Sequence, residues 1–177
     1  MKNIFIGFVL IFLDFSLNLG NSRIELIPDF LGYIIMISGL VEMGNESLLF
    51  IQVKPFVTGM AVYSGILFVL DLVGISVSLG ALNYVLAFIS TAVSLYISYN
   101  IVMGVIDLER TYNLRLNGNK LKSTWTLLAV FNILTFMMLF NPLVAIVAVI
   151  GSLIINICFL VAFNNSKNLF IIQCDKH

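Results

Sequence analysis

Long apolar stretches, separated by short polar ones, run through the whole chain. A helix needs about 20 largely apolar residues to cross a bilayer. Six stretches have this length and character, so the sequence predicts an all-α fold, a six-helix transmembrane bundle. The predicted helices cover residues 4–20, 24–43, 56–80, 81–106, 124–140 and 142–163. Together they form one transmembrane domain, residues 1–163, followed by a tail at residues 164–177.

Prolines mark the start of two of the predicted helices. Pro28 lacks an N–H and has a fixed φ, which suits the first turn of a helix better than its interior. A helix that begins there is about 24 Å long, less than the hydrocarbon core of about 30 Å. The second helix is therefore predicted to be short or broken near Pro28. Asn141 and Pro142 form a turn that separates helices five and six. Residues 44–55 are too short to cross and are predicted to lie along the membrane surface.

The composition agrees with a membrane location. Hydrophobic residues make up 60% of the chain and charged residues 10%, with a mean hydropathy of +1.08, whereas soluble domains are about 25% charged. The apolar run after Lys2 resembles a secretory signal, but Asp14 interrupts it and no small-residue cleavage site follows, so an uncleaved first helix is favoured. Cys158 and Cys174 form neither a disulfide framework nor a metal pattern.

The basic residues predict the orientation, because Lys and Arg accumulate in short cytoplasmic loops. With six helices, eight of the nine basic residues lie on one side and Arg23 alone lies on the other. Both termini are thus predicted to be cytoplasmic, in a bacterial cytoplasmic membrane. The loop at 107–123 carries four cations, which either anchor to anionic lipid or dock a cytoplasmic protein. These cations are Arg110, Arg115, Lys120 and Lys122.

Two aspartates, Asp14 and Asp71, interrupt apolar stretches. An ionisable group in hydrocarbon costs roughly 2.5 kcal/mol or more, so such groups usually face a protein interior or a water-filled cavity. Both are predicted in the outer half of the membrane, about 9 and 13 Å below its outer boundary. Polar residues at helical spacing extend each position outward as a stripe. The stripes are Asp14, Asn18 and Asn21, and Asp71, Gly74 and Ser78.

These stripes predict an outward-facing acidic pocket for a cation, a proton or an amine-bearing solute. Asn132 and Asn156 in helices five and six complete the polar set, and Arg23, Glu25 and Asp29 lie at its outer mouth. The alternative is structural: each buried acid is protonated, or hydrogen-bonded to a neighbouring helix, and holds the bundle together. At the outer mouth, the acids either attract cations or pair with Arg23, which bridges to Asp29 or Asp14 and contributes little.

Helix four carries one face of small residues, which lets another helix approach closely. These residues are Ala87, Ser90, Thr91, Ser94 and Ser98. Tyr96 and Tyr99 fall near the inner interface, where tyrosine is enriched; a role in lining the inner part of a pathway is the alternative.

No arrangement of catalytic residues is recognisable. The single histidine is His177, so neither a His-based acid/base pair nor a His metal site can be built in the membrane. Nucleophile-elbow, phosphate-loop and paired-cysteine motifs are absent from the sequence. Two intramembrane aspartates could share a proton as a proteolytic dyad, but neither stands in the Tyr-Asp or Gly-x-Gly-Asp setting of such proteases. The sequence predicts no enzyme, no cofactor and no nucleic-acid partner.

The stretch IELIPDFLGY, from Ile24 to Tyr33, resembles a segment of uncharacterised small multipass membrane proteins of Gram-positive bacteria. In size, helix count and predicted termini, the chain also resembles substrate-binding subunits of energy-coupling vitamin transporters. Its first helix lacks the Ala-x-x-x-Ala face by which those subunits meet their partner, so this likeness covers architecture alone.

The expected function is transport or sensing of a small cationic solute or proton. The alternative is a non-catalytic accessory or scaffold subunit that docks through residues 107–123. Besides the bilayer, the sequence leaves open a solute, a protein partner and a second copy of the chain as partners.

Overall fold

In the part of the chain that the structure describes, six α-helices build the fold, and a short β-hairpin lies between the first two. The computed structural model describes residues 1–12, 16–19, 22–25, 28–73, 81–137 and 142–174. The helices are α1 (Lys2–Phe12), α2 (Asp29–Met43), α3 (Leu48–Leu72), α4 (Ala81–Thr111), α5 (Gly118–Met137) and α6 (Pro142–Cys174). The strands β1 (Ser16–Leu19) and β2 (Ser22–Glu25) pair antiparallel, with Asn18 opposite Arg23. The predicted all-α class is confirmed for the helices, and the hairpin was not foreseen.

Among the described residues, three helices are long and apolar enough to cross a membrane. The candidate spans are Leu48–Leu70 on α3, Val85–Thr111 on α4 and Ile150–Gln173 on α6. The sequence predicted six crossing helices, and the described residues supply fewer because the other three helices are short or partly polar. α1 has 11 residues, α2 has 15, and α5 begins with Lys120 and Lys122 in its first turns.

Several helix ends differ from the sequence prediction. The helix predicted over 4–20 ends at Phe12, because residues 16–19 pair in the hairpin. α3 already begins at Leu48 and contains Pro55, so residues 44–55 do not form a separate surface segment. α6 continues to Cys174 through most of the predicted tail. An apolar run indicates which residues lie in hydrocarbon. The helix itself extends further, as long as its side chains pack against neighbouring elements.

At its start, α2 follows Pro28 directly. Pro28 has extended φ and ψ of −65° and 136° and occupies the cap position of the helix. The resulting helix is about 22 Å long at 1.5 Å per residue.

Each helix packs against the next one in sequence, and α6 also packs against α1, which closes the bundle. α1 and α2 approach closely through glycines. A Cβ atom on Gly7 would lie 2.7 Å from the backbone oxygen of Gly32, and one on Gly39 would lie 2.7 Å from the backbone nitrogen of Ile4. Both distances are far below ordinary contact, so only glycine permits this packing.

The tightly packed core lies at one end of the bundle, where α1, α3 and α5 begin and α2, α4 and α6 end. Side chains with no exposed area concentrate there, including Phe50, Ile101, Leu108, Leu121 and Phe163. Towards the opposite end, large apolar side chains are exposed at helical spacing. On α3 these include Val62, Ile66 and Val69, and on α6 they include Ile150, Ile154 and Ile157.

Candidate docking surface on the cap

The exposed surface changes character part way along the long helices. On α4, Tyr96 is an exposed aromatic residue, and the only exposed residues of the described segment 97–111 are Arg110 and Thr111. On α6, exposed apolar residues extend to Val161, and none recurs before Ile171 in this fully described segment. The surface is apolar on one side of this level. On the other side, a buried apolar core has a mainly polar exterior on α4 and α6, while Leu48 and Ile51 stay exposed on α3.

Aromatic contacts join three helices at this level. The rings of Phe56 on α3 and Tyr96 on α4 lie 4.7 Å apart, and those of Tyr99 and Trp125 on α5 lie 4.8 Å apart. Trp125 Nε1 donates a hydrogen bond of 2.9 Å to Ser98 Oγ, which is 2% exposed. We name the polar-surfaced end beyond this level the cap, comprising residues 44–55, 97–125 and 162–174.

A hydrogen bond joins the α2–α3 turn of the cap to α4. Ser47 Oγ donates to Asp107 Oδ2 over 2.6 Å, and Ser47 is buried. Asp107 therefore uses a carboxylate oxygen to bind another part of the cap, and this bond joins two segments about 60 residues apart in sequence.

Glu109 organises the connection between α4 and α5. Its Oε1 accepts the backbone N–H of Leu116 at 2.9 Å, and its Oε2 accepts that of Gly118 at 3.0 Å. These donors lie at the N-terminus of α5, where a negative charge is stabilising. Asn117 has a φ of 59°, a left-handed conformation that asparagine tolerates. A Cβ on Gly118 would lie 2.5 Å from Glu109 Oε2, so a side chain at this position would displace the Glu109 carboxylate.

The end of α6 also binds the connection between α4 and α5. The backbone N–H of Arg115 donates to Gln173 Oε1 at 3.2 Å, and Gln173 Nε2 donates to the carbonyl oxygen of Arg115 at 3.3 Å. Next to this pair of bonds, Ile171 and Ile172 are 41% and 54% exposed. The loop with Arg115 is therefore fixed beside two exposed isoleucines.

Four cations project from the loop and the helix ends that adjoin it. All are exposed, and none of them makes an ion pair among the residues that the structure describes. They are Arg110, Arg115, Lys120 and Lys122. The predicted loop at 107–123 is thus largely helical: residues 107–111 belong to α4, and residues 118–123 belong to α5. Lys167 differs, since its Nζ donates to Asn164 Oδ1 at 2.7 Å and lies 4.5 Å from the centre of the Phe5 ring.

The acids of the predicted outer pocket lie largely outside the described residues. Asp14, Asn21 and Ser78 fall there, and Asp71 is described only as a helical position near the end of α3. β2, which carries Arg23 and Glu25, packs against α3. Asn18 stands opposite Arg23 in the hairpin, and Asp29 is the first residue of α2. The structure thus brings part of the outer mouth next to the helix that bears Asp71.

For the predicted polar residues of helices five and six, the structure describes their positions on their own helices. Asn132 Nδ2 donates to the Leu128 carbonyl oxygen of its own helix at 2.8 Å. Asn156 is half-buried on α6. No group of three His, Cys, Asp or Glu side chains suited to a metal ion occurs in the described ranges.

The sequence did not predict two interhelical hydrogen bonds, although the serine in each belongs to the predicted small face of α4. Tyr33 on α2 and Ser94 share a hydrogen bond of 3.1 Å, and Trp125 binds Ser98. A serine within a small-residue face gives no sequence signal of which helix will supply its partner. The Asn117-Gly118 pair is a turn signal in the sequence, and in the structure α5 begins there.

Comparison with protein-family models, curated proteins and solved structures finds no match to this chain.

Proposed function

We propose that the chain is a multi-pass membrane protein that serves as a non-catalytic docking subunit, with the cap on the cytoplasmic side. Three helices long and apolar enough to span support the membrane location. The eight-to-one distribution of Lys and Arg supports the orientation, since cytoplasmic segments are enriched in basic residues.

The orientation of the charged side chains in the cap supports the docking role. Asp107 accepts the Ser47 hydroxyl of the α2–α3 turn, and Glu109 accepts two backbone N–H groups at the start of α5, so these two acids bind neighbouring segments of the cap. The four cations face outward without ion pairs in the described structure. A flexible basic segment is enough to attract anionic lipid. Fixing the backbone that carries the cations costs conformational entropy. A preorganised set of charges favours a protein partner whose own charges match their positions.

Site-specific photo-crosslinking in cells tests this role. A photoreactive residue replaces Asn119, which is exposed in the first turn of α5 between the cations. The control places it at Ile89, which is exposed on the apolar part of α4. We expect discrete protein adducts from position 119 alone, and about a fivefold loss of adduct in a Lys120→Gln/Lys122→Gln background, since rim charges chiefly affect association. Equal adducts from both positions, or none from position 119, would exclude the docking role.

Transport or sensing of a cationic solute through Asp14 and Asp71 stays a second proposal. The placement of β2 against α3 supports it, because that contact gathers Arg23 and Glu25 beside the helix of Asp71. Asp→Asn substitution removes the charge and retains the shape. We expect Asp14→Asn and Asp71→Asn to insert normally and to lose solute binding or its pH dependence. Full activity in both variants would make the acids structural.

A further inference from the structure

The cap presents an apolar pair beside a cationic loop, an arrangement suited to one class of ligand. Ile171 and Ile172 are exposed at the end of α6, and the adjacent Gln173 is hydrogen-bonded to the backbone of Arg115. We propose that this surface binds an acidic amphipathic segment of a cytosolic protein. The inference rests on the docking role proposed above and names the chemistry of the partner.

The apolar stretch of α6 extends to Gln173 by length and composition alone. The polar residues 164–168 interrupt it, which places the isoleucines beyond the hydrocarbon and favours a protein over a lipid. Exposed apolar side chains on α6 stop at Val161 before Ile171 and Ile172, and Ile172 lies about 16 Å further along the helix. The headgroup layer of one leaflet is only about 5–7 Å thick. Even with a helix tilt of about 40°, the isoleucines remain about 12 Å beyond Val161. Arg110 likewise lies about 21 Å beyond Tyr96 on α4.

Salt screening strengthens this distinction. At physiological ionic strength, the attraction between exposed charges decays over about 8 Å. Cations held well beyond the headgroups gain little from a lipid surface, whereas carboxylates on a bound protein segment can approach them directly. The exposed isoleucines agree with this interpretation, because headgroups offer them no apolar partner and one face of an amphipathic helix does.

The first experiment measures how close the cap lies to lipid. The full chain, with both cysteines replaced, is labelled with a fluorophore at Asn119→Cys and placed in nanodiscs of phosphatidylcholine and phosphatidylglycerol. Labelled Ile89→Cys, on the exposed apolar part of α4, is the control. We expect a lipid-borne quencher to act strongly on position 89 and weakly on position 119. Strong quenching at position 119 that disappears in Lys120→Gln/Lys122→Gln would establish lipid anchoring and overturn the proposal.

The second experiment uses two synthetic peptide probes of about 18 residues, or five helical turns. One carries leucine on one face and glutamate on the other, and its control replaces every leucine with serine. Binding to the labelled full chain is followed in neutral nanodiscs. The leucine-containing peptide is expected to bind at least tenfold more tightly than its control, and with a dissociation constant that rises with salt because the charges are screened.

Variants localise this binding. Ile171→Ser/Ile172→Ser is expected to weaken it about 10- to 30-fold, since two half-exposed isoleucines lose their burial in the complex. Ile51→Ser is the matched control: Ile51 is 48% exposed on α3, whose helical neighbours are α2 and α4. Lys120→Gln/Lys122→Gln should weaken binding and flatten its salt dependence, whereas Lys2→Gln should change neither.

The outcomes separate the two levels of the proposal. Adducts at position 119 in cells, combined with a peptide that binds equally well to Ile171→Ser/Ile172→Ser, would retain docking and refute the amphipathic partner. Absence of peptide binding to the intact chain would refute it as well. Absence of adducts in cells would remove the docking role itself.

Discussion

Loss of the Glu109 carboxylate should open the connection between α4 and α5. Glu109 accepts two backbone N–H groups, from Leu116 and Gly118, at 2.9 and 3.0 Å. Hydrogen bonds to a charged group contribute about 1.5–3 kcal/mol each, but water can reach part of this loop and replace them. A net loss of about 2 kcal/mol is expected for Glu109→Ala, which corresponds to a roughly 30-fold rise in local opening. Glu109→Gln keeps one acceptor and should lose about 1 kcal/mol.

Limited trypsin digestion measures this opening. Cleavage after Arg115 requires the loop backbone to leave Glu109 and Gln173, so its rate follows the population of the open loop when reclosing is fast. We expect the cleavage rate to rise about 30-fold in Glu109→Ala and about fivefold in Glu109→Gln. Glu46→Gln makes the same chemical change at an exposed residue of the α2–α3 turn and should leave the rate unchanged. Wild-type cleavage of Glu109→Ala would show that these bonds do not hold the loop.

A double-mutant cycle tests the same contact sterically. A methyl group on Gly118 would lie 2.5 Å from Glu109 Oε2 and 2.7 Å from Ile106 Cγ1. Gly118→Ala should therefore raise cleavage by itself and have a smaller effect in the Glu109→Ala background, where one of the two clashes is absent. Additive effects would contradict the observed geometry.

Three other predictions concern packing and orientation. Gly39→Ala should lower the thermal stability by several degrees because its Cβ has no space against α1, whereas Gly59→Ala, with no heavy atom within 4 Å, should be neutral or stabilising by up to about 1 kcal/mol; equal effects would refute the close packing. Trp125→Phe removes the donor to a buried serine of α4 and should cost about 1–2 kcal/mol in denaturant unfolding; an unchanged midpoint would argue against this bond. In a background without native cysteines, a cysteine at Asn117 should resist an impermeant thiol reagent in intact cells and one at Asn21 should react; the reverse pattern would invert the proposed orientation.

The sequence predicted helices well where apolar runs were long, and it missed the ends that depend on tertiary contacts. It ended helix four at residue 106, where charged residues begin, but α4 continues to Thr111. Asp107 and Glu109 in this extension bind Ser47 and the start of α5. Such partners are distant in sequence, so no local periodicity reveals them. α6 extends through Gln173 in a similar setting, with Arg115 as its partner.

For the candidate sites as well, the sequence identified residues but not the contacts that they make. Arg110, Arg115, Lys120 and Lys122 could be identified from composition and loop position alone, because charged side chains rarely lie in hydrocarbon. Glu109 binds backbone N–H groups and Asp107 binds a serine hydroxyl, and the cations have no ion pairs in the described structure; this arrangement depends on atomic geometry. The predicted pocket around Asp14 and Asp71 rests on sequence spacing and stays a prediction.

The glycine-mediated contact between α1 and α2 has a consequence for biogenesis. α1 is about 17 Å long and α2 about 22 Å, so each is shorter than the hydrocarbon core of about 30 Å. Gly7 and Gly39 bring their backbones together, and van der Waals packing of this kind is what associates helices in lipid. α1 obtains this packing only after the ribosome has synthesised α2. We therefore expect the insertion machinery to retain α1 and to release both helices into the bilayer as one hairpin.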